Sequence, residues 1–173
     1  HFRNLQRVEI QPAAKLNLIT GENAAGKTNL LESLHYLSFA RSFRSAQTRD
    51  LIMYQQPYFR LIGKLQQPQS TLGIQKSSQD QVIRINQQTV NRTADLAALF
   101  PVVAIHPDSH QLISAGPEYR RQYLDWGVFH VEPNFVDHWR RYQRALRQRN
   151  AALRAGQGAQ AVKAWDPELI ESG

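Results

Sequence analysis

The feature that most constrains the fold is a Gly-x-x-x-x-Gly-Lys-Thr motif at residues 21–28, with a short apolar run before it and a helical pattern after it. A strand, this loop and a helix, in that order, form the usual setting of a phosphate-binding P-loop. Glycines at both ends let the backbone turn so that successive N–H groups face one anion. A chance match in a Gly-containing turn is the alternative, but it leaves the flanking strand and helix unexplained.

The residue types within the motif predict contacts with a nucleotide. The helix beginning near Lys27 adds the positive end of its dipole. The Lys27 ammonium would reach the β- and γ-phosphates, and the Thr28 hydroxyl would ligate Mg²⁺. The predicted nucleotide-binding residues of the loop are Gly21, Glu22, Asn23, Ala24, Ala25, Gly26, Lys27, Thr28 and Asn29.

The charge balance indicates an anionic partner. The chain has 173 residues, of which 42% are hydrophobic, and a formal net charge of +7. Nucleic acid or an anionic membrane surface would suit this charge, and a soluble basic protein without such a partner is the alternative. The absence of cysteine excludes disulfides and thiolate metal sites and fits a reducing cytoplasm. No apolar run approaches the ~20 residues that span a bilayer.

Both ends of the sequence suggest part of a longer protein. The chain has no initiator Met, and Asp166-Pro167 begins a helical pattern that stops about one turn later. Between the ends, alternation predicts a sheet-forming region followed by helices. Predicted strands lie at 5–11, 15–20 and 101–105, with an antiparallel meander at 58–65, 71–75 and 81–85; predicted helices lie at 28–39 and 93–99.

Two polar clusters are candidate ligand contacts. His106 and Asp108 directly follow the predicted strand at 101–105, where α/β proteins often place ligand-binding side chains. An ordinary capped turn is the alternative. Arg41 and Arg44 flank Phe43 after the first helix and could hold phosphate or a DNA backbone. A solvated basic loop explains them equally well.

A long arginine-rich helix is predicted from Asn134 to about Arg154. Its positive face favours contact with a polyanion, because a merely solvated face usually mixes signs. Its arginines are Arg140, Arg141, Arg144, Arg147, Arg149 and Arg154, and its apolar stripe is Phe135, Trp139, Tyr142, Leu146 and Leu153. The predicted DNA contacts are Arg140, Arg141, Arg144, Arg147 and Arg149, together with Arg44.

The sequence lacks two motifs of a complete ABC-type ATPase site. It has no LSGGQ-like signature. It also has no run of four apolar residues ending in Asp-Glu, which would supply the Mg²⁺-side carboxylate and the catalytic base. This absence fits a split site whose second half lies beyond residue 173.

Several stretches together resemble the N-terminal half of the bacterial RecF family of DNA replication and repair proteins. The resemblance covers nearly the whole chain, and its last two stretches are more specific than the P-loop. The stretches are Phe2–Leu5, Gly21–Glu32, Arg41–Arg44, Gly116–Trp126 and Tyr142–Ala151.

The resemblance implies an α/β fold, a P-loop NTPase of the ABC type. It would form a head lobe with a mixed sheet, an antiparallel β meander and a following helical segment. The implied domains are residues 1–115, the ATP-binding lobe, and 116–173, a helical segment leading to a second lobe. Proteins of this family bind ATP and Mg²⁺, form ATP-dependent homodimers and bind DNA at single-stranded/double-stranded junctions. They hydrolyse ATP slowly and act in the cytoplasm with RecO and RecR to load RecA at gaps, within the SOS response.

The resemblance also carries individual residues. Arg3 matches a basic residue that approaches the nucleotide in related heads, and His106 stands where those heads have the Q-loop glutamine. Ala24 replaces a common glycine, and we expect it to keep a negative φ because its Cβ disfavours the left-handed region. Without the signature and acidic motifs, this chain alone is expected to bind nucleotide weakly and not to hydrolyse it.

Two other functions use the same motif. A small-molecule kinase would show turnover that an acceptor substrate accelerates. A DNA-interaction module that only senses nucleotide would bind DNA in response to ATP without hydrolysis. The arginine-rich helix and the apparent truncation favour the RecF-like function over the kinase.

Overall fold

The computed structural model describes residues 1–132 and 134–173, which divide into two compact units, His1–Ile105 and His106–Gly173. The division therefore follows Ile105, whereas the sequence predicted a boundary after residue 115. The first unit contains α1 (Lys27–Phe39), β1 (Tyr58–Gln66), β2 (Gln69–Ser77), β3 (Gln81–Ile85), β4 (Gln88–Val90) and α2 (Thr93–Leu99). The second contains α3 (Gln111–Ser114), α4 (Pro117–Val131), α5 (Phe135–Arg154), α6 (Ala159–Lys163) and α7 (Asp166–Ser172). Short 3-10 helices lie at Thr48–Asp50 and Pro107–His110.

The sheet of the first unit is an antiparallel meander in the order β1-β2-β3-β4. Strand β1 pairs with β2 from Tyr58 opposite Ser77 to Gln66 opposite Gln69. The three predicted strands of the meander are confirmed, and β4 adds a short fourth strand that the sequence did not predict. One face of the sheet is buried because apolar residues alternate with polar ones along each strand.

The core of the first unit lies between this buried face and the two helices. Phe59 of β1 and Leu72 and Ile74 of β2 are fully buried. Helix α1 contributes Tyr36 and α2 contributes Leu96. Burial of Tyr36 raises the pKa of its phenol to about 12.

Helix α1 is confirmed, and the face that it buries is largely polar, with Leu37 the one buried leucine of the helix. Its buried residues are Glu32, Ser33, Tyr36, Leu37 and Ser38, whereas Leu31 is exposed and Leu30 and Leu34 are half-buried. The helix therefore presents a carboxylate to the protein interior, at a position where apolar periodicity gives no signal.

The strands predicted at 5–11, 15–20 and 101–105 are wrong. These segments form no strand in the described residues. Outside the meander, the described part of the chain has only isolated bridges, which join Phe2 to Leu5, the first residue of the 5–11 segment, and to Ile52. A strand needs a hydrogen-bonded neighbouring strand, and among the described residues none runs beside these segments. Their apolar side chains are accordingly exposed, as at Leu16, Leu18 and Ile105. The part of the chain that the structure describes thus holds the expected meander without the mixed sheet.

The second unit is helical throughout. Helix α5 packs against α6 and α7, and its fully buried residues are Ala145 and Ala152. The large residues of the predicted stripe are only partly covered, because several of them line an open cleft of about 1100 Å³ between α4, α5 and α7. No helix among the described residues combines the length and apolar character required to cross a membrane.

Candidate nucleotide-binding site

The loop at residues 21–26 turns sharply into α1 because two glycines take backbone conformations that other residues rarely adopt. Gly21 has φ +146° and Gly26 has φ +102°. A Cβ added at Gly26 would lie 2.9 Å from the Asn4 Oδ1 atom. Glycine is therefore required at position 26 both by its φ angle and by the close approach of Asn4.

Ala24 also has a positive φ, +64°, which contradicts the expectation that it would keep a negative one. The left-handed conformation brings its Cβ close to the following carbonyl and costs about 1–2 kcal/mol relative to glycine. The loop retains this conformation because the Ala24 carbonyl accepts a hydrogen bond of 3.1 Å from the Asn4 side chain. An alanine at this position therefore stores strain within the loop.

The polar groups of the loop fit a bound phosphate. Among the described residues, the backbone N–H groups of Asn23, Ala24 and Gly26 donate no hydrogen bond within the protein. The Lys27 Nζ atom donates to the carbonyl oxygens of Gly21 and Glu22 at 2.7 and 2.6 Å. Amide donors and an ammonium group therefore converge on one short segment at the start of α1, as phosphate binding requires.

Asn4 and Asn29 hold the loop from the side. The Asn29 Nδ2 atom donates to Asn4 Oδ1 at 2.8 Å, and Asn4 in turn donates to Ala24. Asn29 Oδ1 accepts a bond of 2.8 Å from Arg44 Nη1. The predicted loop residue Asn29 thus acts through its neighbours, linking the loop to the segment after α1.

Glu32 lies next to the loop and was given no role from the sequence. Its carboxylate is fully buried and receives the Arg3 guanidinium through two bonds of 2.5 and 2.7 Å. The Ser42 hydroxyl also donates to Glu32, and Arg44 Nη1 lies 3.5 Å from its Oε2 atom. A signal was available, because a glutamate interrupts the apolar positions of the first helix, but its meaning depends on long-range partners.

These side chains form a continuous network beneath the P-loop, here called the support network, made up of Arg3, Asn4, Asn29, Glu32 and Arg44. It brings together Arg3 and Arg44, which the sequence had proposed separately for nucleotide and DNA. Arg3 is committed to Glu32 and to the Asp50 carbonyl, so its direct approach to a nucleotide remains a prediction. Arg3 and Arg44 nevertheless bond to side chains of α1, the helix that follows the loop, so their positive charge lies near the loop.

His106 belongs to the second unit, where its backbone N–H donates to Ser109 Oγ at 2.9 Å. Its role near a nucleotide remains a prediction. The side chain of Asp108, the neighbouring candidate, lies outside the described part of the structure.

Several arginines of α5 pair with acids. Arg141 lies 2.7 Å from Glu168 and 3.4 Å from Glu171, and Arg149 lies 2.9 Å from Asp166, so both join α5 to α7. Arg140 lies 3.6 Å from Asp137 on its own helix. DNA contacts at these positions, and at Arg144 and Arg147, remain predictions.

Comparison with known proteins identifies the family of the chain. A family model described as the RecF/RecN/SMC N-terminal domain matches residues 1–157. The chain belongs to this family. This match and the curated relatives named RecF together confirm the resemblance to RecF seen in the sequence.

Curated relatives carry the name DNA replication and repair protein RecF. The protein from Pseudomonas fluorescens is 45% identical over 175 residues, which cover 98% of this chain and 48% of the relative. Those from Thioalkalivibrio sulfidiphilus and Haemophilus influenzae are each 43% identical and cover 99% and 98% of this chain. The chain spans about half the length of the curated relatives that it matches.

Solved structures confirm the fold. Two structures of the recombination mediator protein RecF in the RecFOR pathway, RecF-ATPrS and RecF-ATP, match with TM-scores of 0.82 and 0.83. Each is 29% identical and covers 99% of this chain and 48% of the solved one. The ABC-type head fold of α/β class predicted from the sequence is therefore confirmed.

Proposed function

We propose that this chain supplies the P-loop half of the ATP site in a RecF-type ATPase of recombinational repair. The observation that carries the proposal is the strained loop at residues 21–26, whose unpaired amides and Lys27 stand at the start of α1. A solved relative that matches nearly the whole chain is RecF-ATP, which supports ATP as the nucleotide.

The residues fit MgATP in defined roles. The loop amides and Lys27 would hold the β- and γ-phosphates, and the Thr28 hydroxyl would ligate Mg²⁺. The bound metal ion would neutralise charge that develops on the phosphates. The support network would keep Ala24 and α1 in place while the phosphates are bound.

The remaining parts of the proposal concern the full-length protein. It would form an ATP-dependent homodimer, bind DNA and hydrolyse ATP slowly with stimulation by DNA. It would act in the cytoplasm with RecO and RecR to load RecA at single-strand gaps, as part of the SOS response. The names of the relatives and the basic net charge of +7 support a DNA partner. This chain alone would not hydrolyse ATP, because it lacks an Asp-Glu pair after an apolar run.

The test is ATP hydrolysis by the full-length protein, with and without duplex DNA. We expect slow turnover that DNA stimulates and that Lys27→Ala abolishes. The matched control is Lys15→Ala, which removes an exposed lysine outside the motif and leaves turnover unchanged. Turnover indifferent to DNA would contradict the proposal and favour a kinase or another NTPase. DNA binding that responds to ATP without turnover would identify the loop as a sensor.

A further inference from the structure

The excess of positive charge lies in the first unit. Residues 1–105 carry twelve Lys and Arg against six Asp and Glu, a net charge of +6. Residues 106–173 carry nine against eight, because the arginines of α5 are offset by Asp108, Glu132, Asp137 and the three acids of α7. A polyanion that recognises net charge would therefore meet a stronger field at the first unit.

Much of this excess lies on the β meander. From Tyr58 to Arg92 the chain has five basic residues and one acid, Asp80, and the acid lies in the turn between β2 and β3. The four strands themselves contain no Asp or Glu. A face that only needs to be solvated usually mixes signs, so this composition favours an anionic partner.

The strand register places three of these cations on one face, opposite the face that α1 and α2 cover. Arg60 and Lys64 flank Ile62 on β1, and Ile62 is opposite Gly73, which is in turn opposite Arg84 on β3. All three cations are exposed. With ~3.3 Å per residue and ~4.8 Å between strands, their backbone positions are about 12–13 Å apart. Gly73 leaves the centre of this triangle without a side chain.

We propose that this face, formed by Arg60, Lys64 and Arg84 and here called the sheet patch, binds the phosphate backbone of duplex DNA. The inference deepens the proposed function, on which it rests, by naming the surface that holds the nucleic acid. A single-strand platform would need aromatic side chains for stacking. The aromatic residue on this face, Tyr58, is covered by the Arg60 guanidinium 5.7 Å from its ring centroid. Three spaced cations on an open sheet suit a sequence-independent phosphate contact.

The first experiment removes the charges. The full-length variant Arg60→Gln/Lys64→Gln/Arg84→Gln is compared with wild type for binding to a duplex with MgATP at several salt concentrations. We expect at least about tenfold weaker binding at low salt and a salt-dependence slope that is smaller by about 2 to 3. The control is Lys76→Gln. Lys76 lies on β2 opposite Phe59, so its register places it on the other face of the sheet, and this variant should leave both the affinity and the slope unchanged.

The second experiment places an acid at the centre of the patch. A Cβ at Gly73 would meet Arg84 only at 3.9 Å, an ordinary contact, so substitution is tolerated there. Gly73→Glu is expected to weaken duplex binding about tenfold, whereas the neutral Gly73→Gln retains most of it. Unchanged ATP binding by each variant verifies that the fold and the P-loop are intact.

The outcomes separate this inference from the proposed function. Wild-type protein that binds no duplex with MgATP contradicts the proposed function and the sheet patch together. Normal duplex binding with an unchanged salt slope in the triple variant overturns the sheet patch alone. Equal losses in Gly73→Glu and Gly73→Gln also overturn it. Weaker duplex binding in the triple variant and in Gly73→Glu, with Lys76→Gln and Gly73→Gln close to wild type, supports it.

Discussion

At the scale of single residues, Ala24 shows how the loop conformation overrides a local preference. Its φ of +64° is one that alanine disfavours and glycine adopts readily. We expect Ala24→Gly to stabilise the chain by about 1 kcal/mol, because the strain is larger than the entropy that glycine adds to the unfolded state. Thermal unfolding should show a melting temperature about 2–4 °C higher.

The neighbouring alanine provides the control for this change. Ala25 does not have a positive φ, so Ala25→Gly should destabilise the chain by about 0.4–1 kcal/mol. A melting temperature lowered equally by both substitutions would show that Ala24 is not strained.

Glu32 stabilises the fold by balancing the positive charge of Arg3. We expect Glu32→Gln to lower the free energy of unfolding by about 3 kcal/mol, because it leaves Arg3 partly buried without its carboxylate partner. Urea unfolding measures the change. Glu9→Gln, at an exposed carboxylate, should stay within about 0.5 kcal/mol of wild type. Similar values for the two variants would contradict the role of the support network.

Sequence reasoning at this scale identified residues by type but not by partner. Gly21, Gly26 and Lys27 were recognisable because the motif fixes their spacing. Asn4 and Glu32 were not assigned roles, since their partners lie 20 and 29 residues away in the chain. Long-range hydrogen bonds of this kind leave no periodic signal, so only the fold could reveal them.

At the scale of secondary-structure elements, the junction of α5 and α7 depends on charge. The hydrogen bond from Arg141 lowers the pKa of Glu168 from its ordinary value of 4.5. Because the folded state depresses this pKa, the stabilisation is present above about pH 4.5 and is lost as the pH falls through the folded value. We expect Arg141→Gln to return the pKa of Glu168 towards 4.5, as followed by carboxyl NMR titration.

A second arginine of α5 separates this specific bond from general charge. Arg154→Gln removes a cation from the last turn of the same helix, and the pKa of Glu168 should hardly change. If the pKa of Glu168 rose equally in Arg141→Gln and Arg154→Gln, the overall positive charge of the helix, rather than the bond from Arg141, would set it.

Elements with local signals were predictable, and those that need distant partners were not. Helices α1 and α2 and the first three strands of the meander follow from periodicity, glycine and cap positions. The segments 5–11, 15–20 and 101–105 alternate or are apolar as strands are, yet in the described residues they pair with no strand, and only Leu5 forms an isolated bridge. Alternation reports the capacity to pair, whereas a strand also requires a partner.

At the scale of the whole molecule, these unpaired segments should be the first places where a protease cuts the chain. Thermolysin cleaves before bulky apolar residues in exposed, extended backbone. We expect it to cut this chain before Leu16, Leu18 and Ile105, which are 84%, 85% and 89% exposed, long before it cuts at the buried Leu72 of β2. Mass spectrometry of early fragments identifies the sites. Early cleavage at Leu72 would show that the meander opens as readily as the unpaired segments.

The same digestion, applied to the full-length protein, tests whether the rest of that protein covers the exposed segments. The chain covers about half of those relatives, so the proposed full-length protein has residues available to pair with the exposed segments. We expect full-length protein to resist cleavage at Leu16, Leu18 and Ile105 while exposed loops remain sensitive. Equal cleavage of the 173-residue chain and of the full-length protein would mean that the second half leaves these segments uncovered. The exposed apolar side chains would then need another partner, because apolar residues that alternate with polar ones are suited to a strand with one buried face.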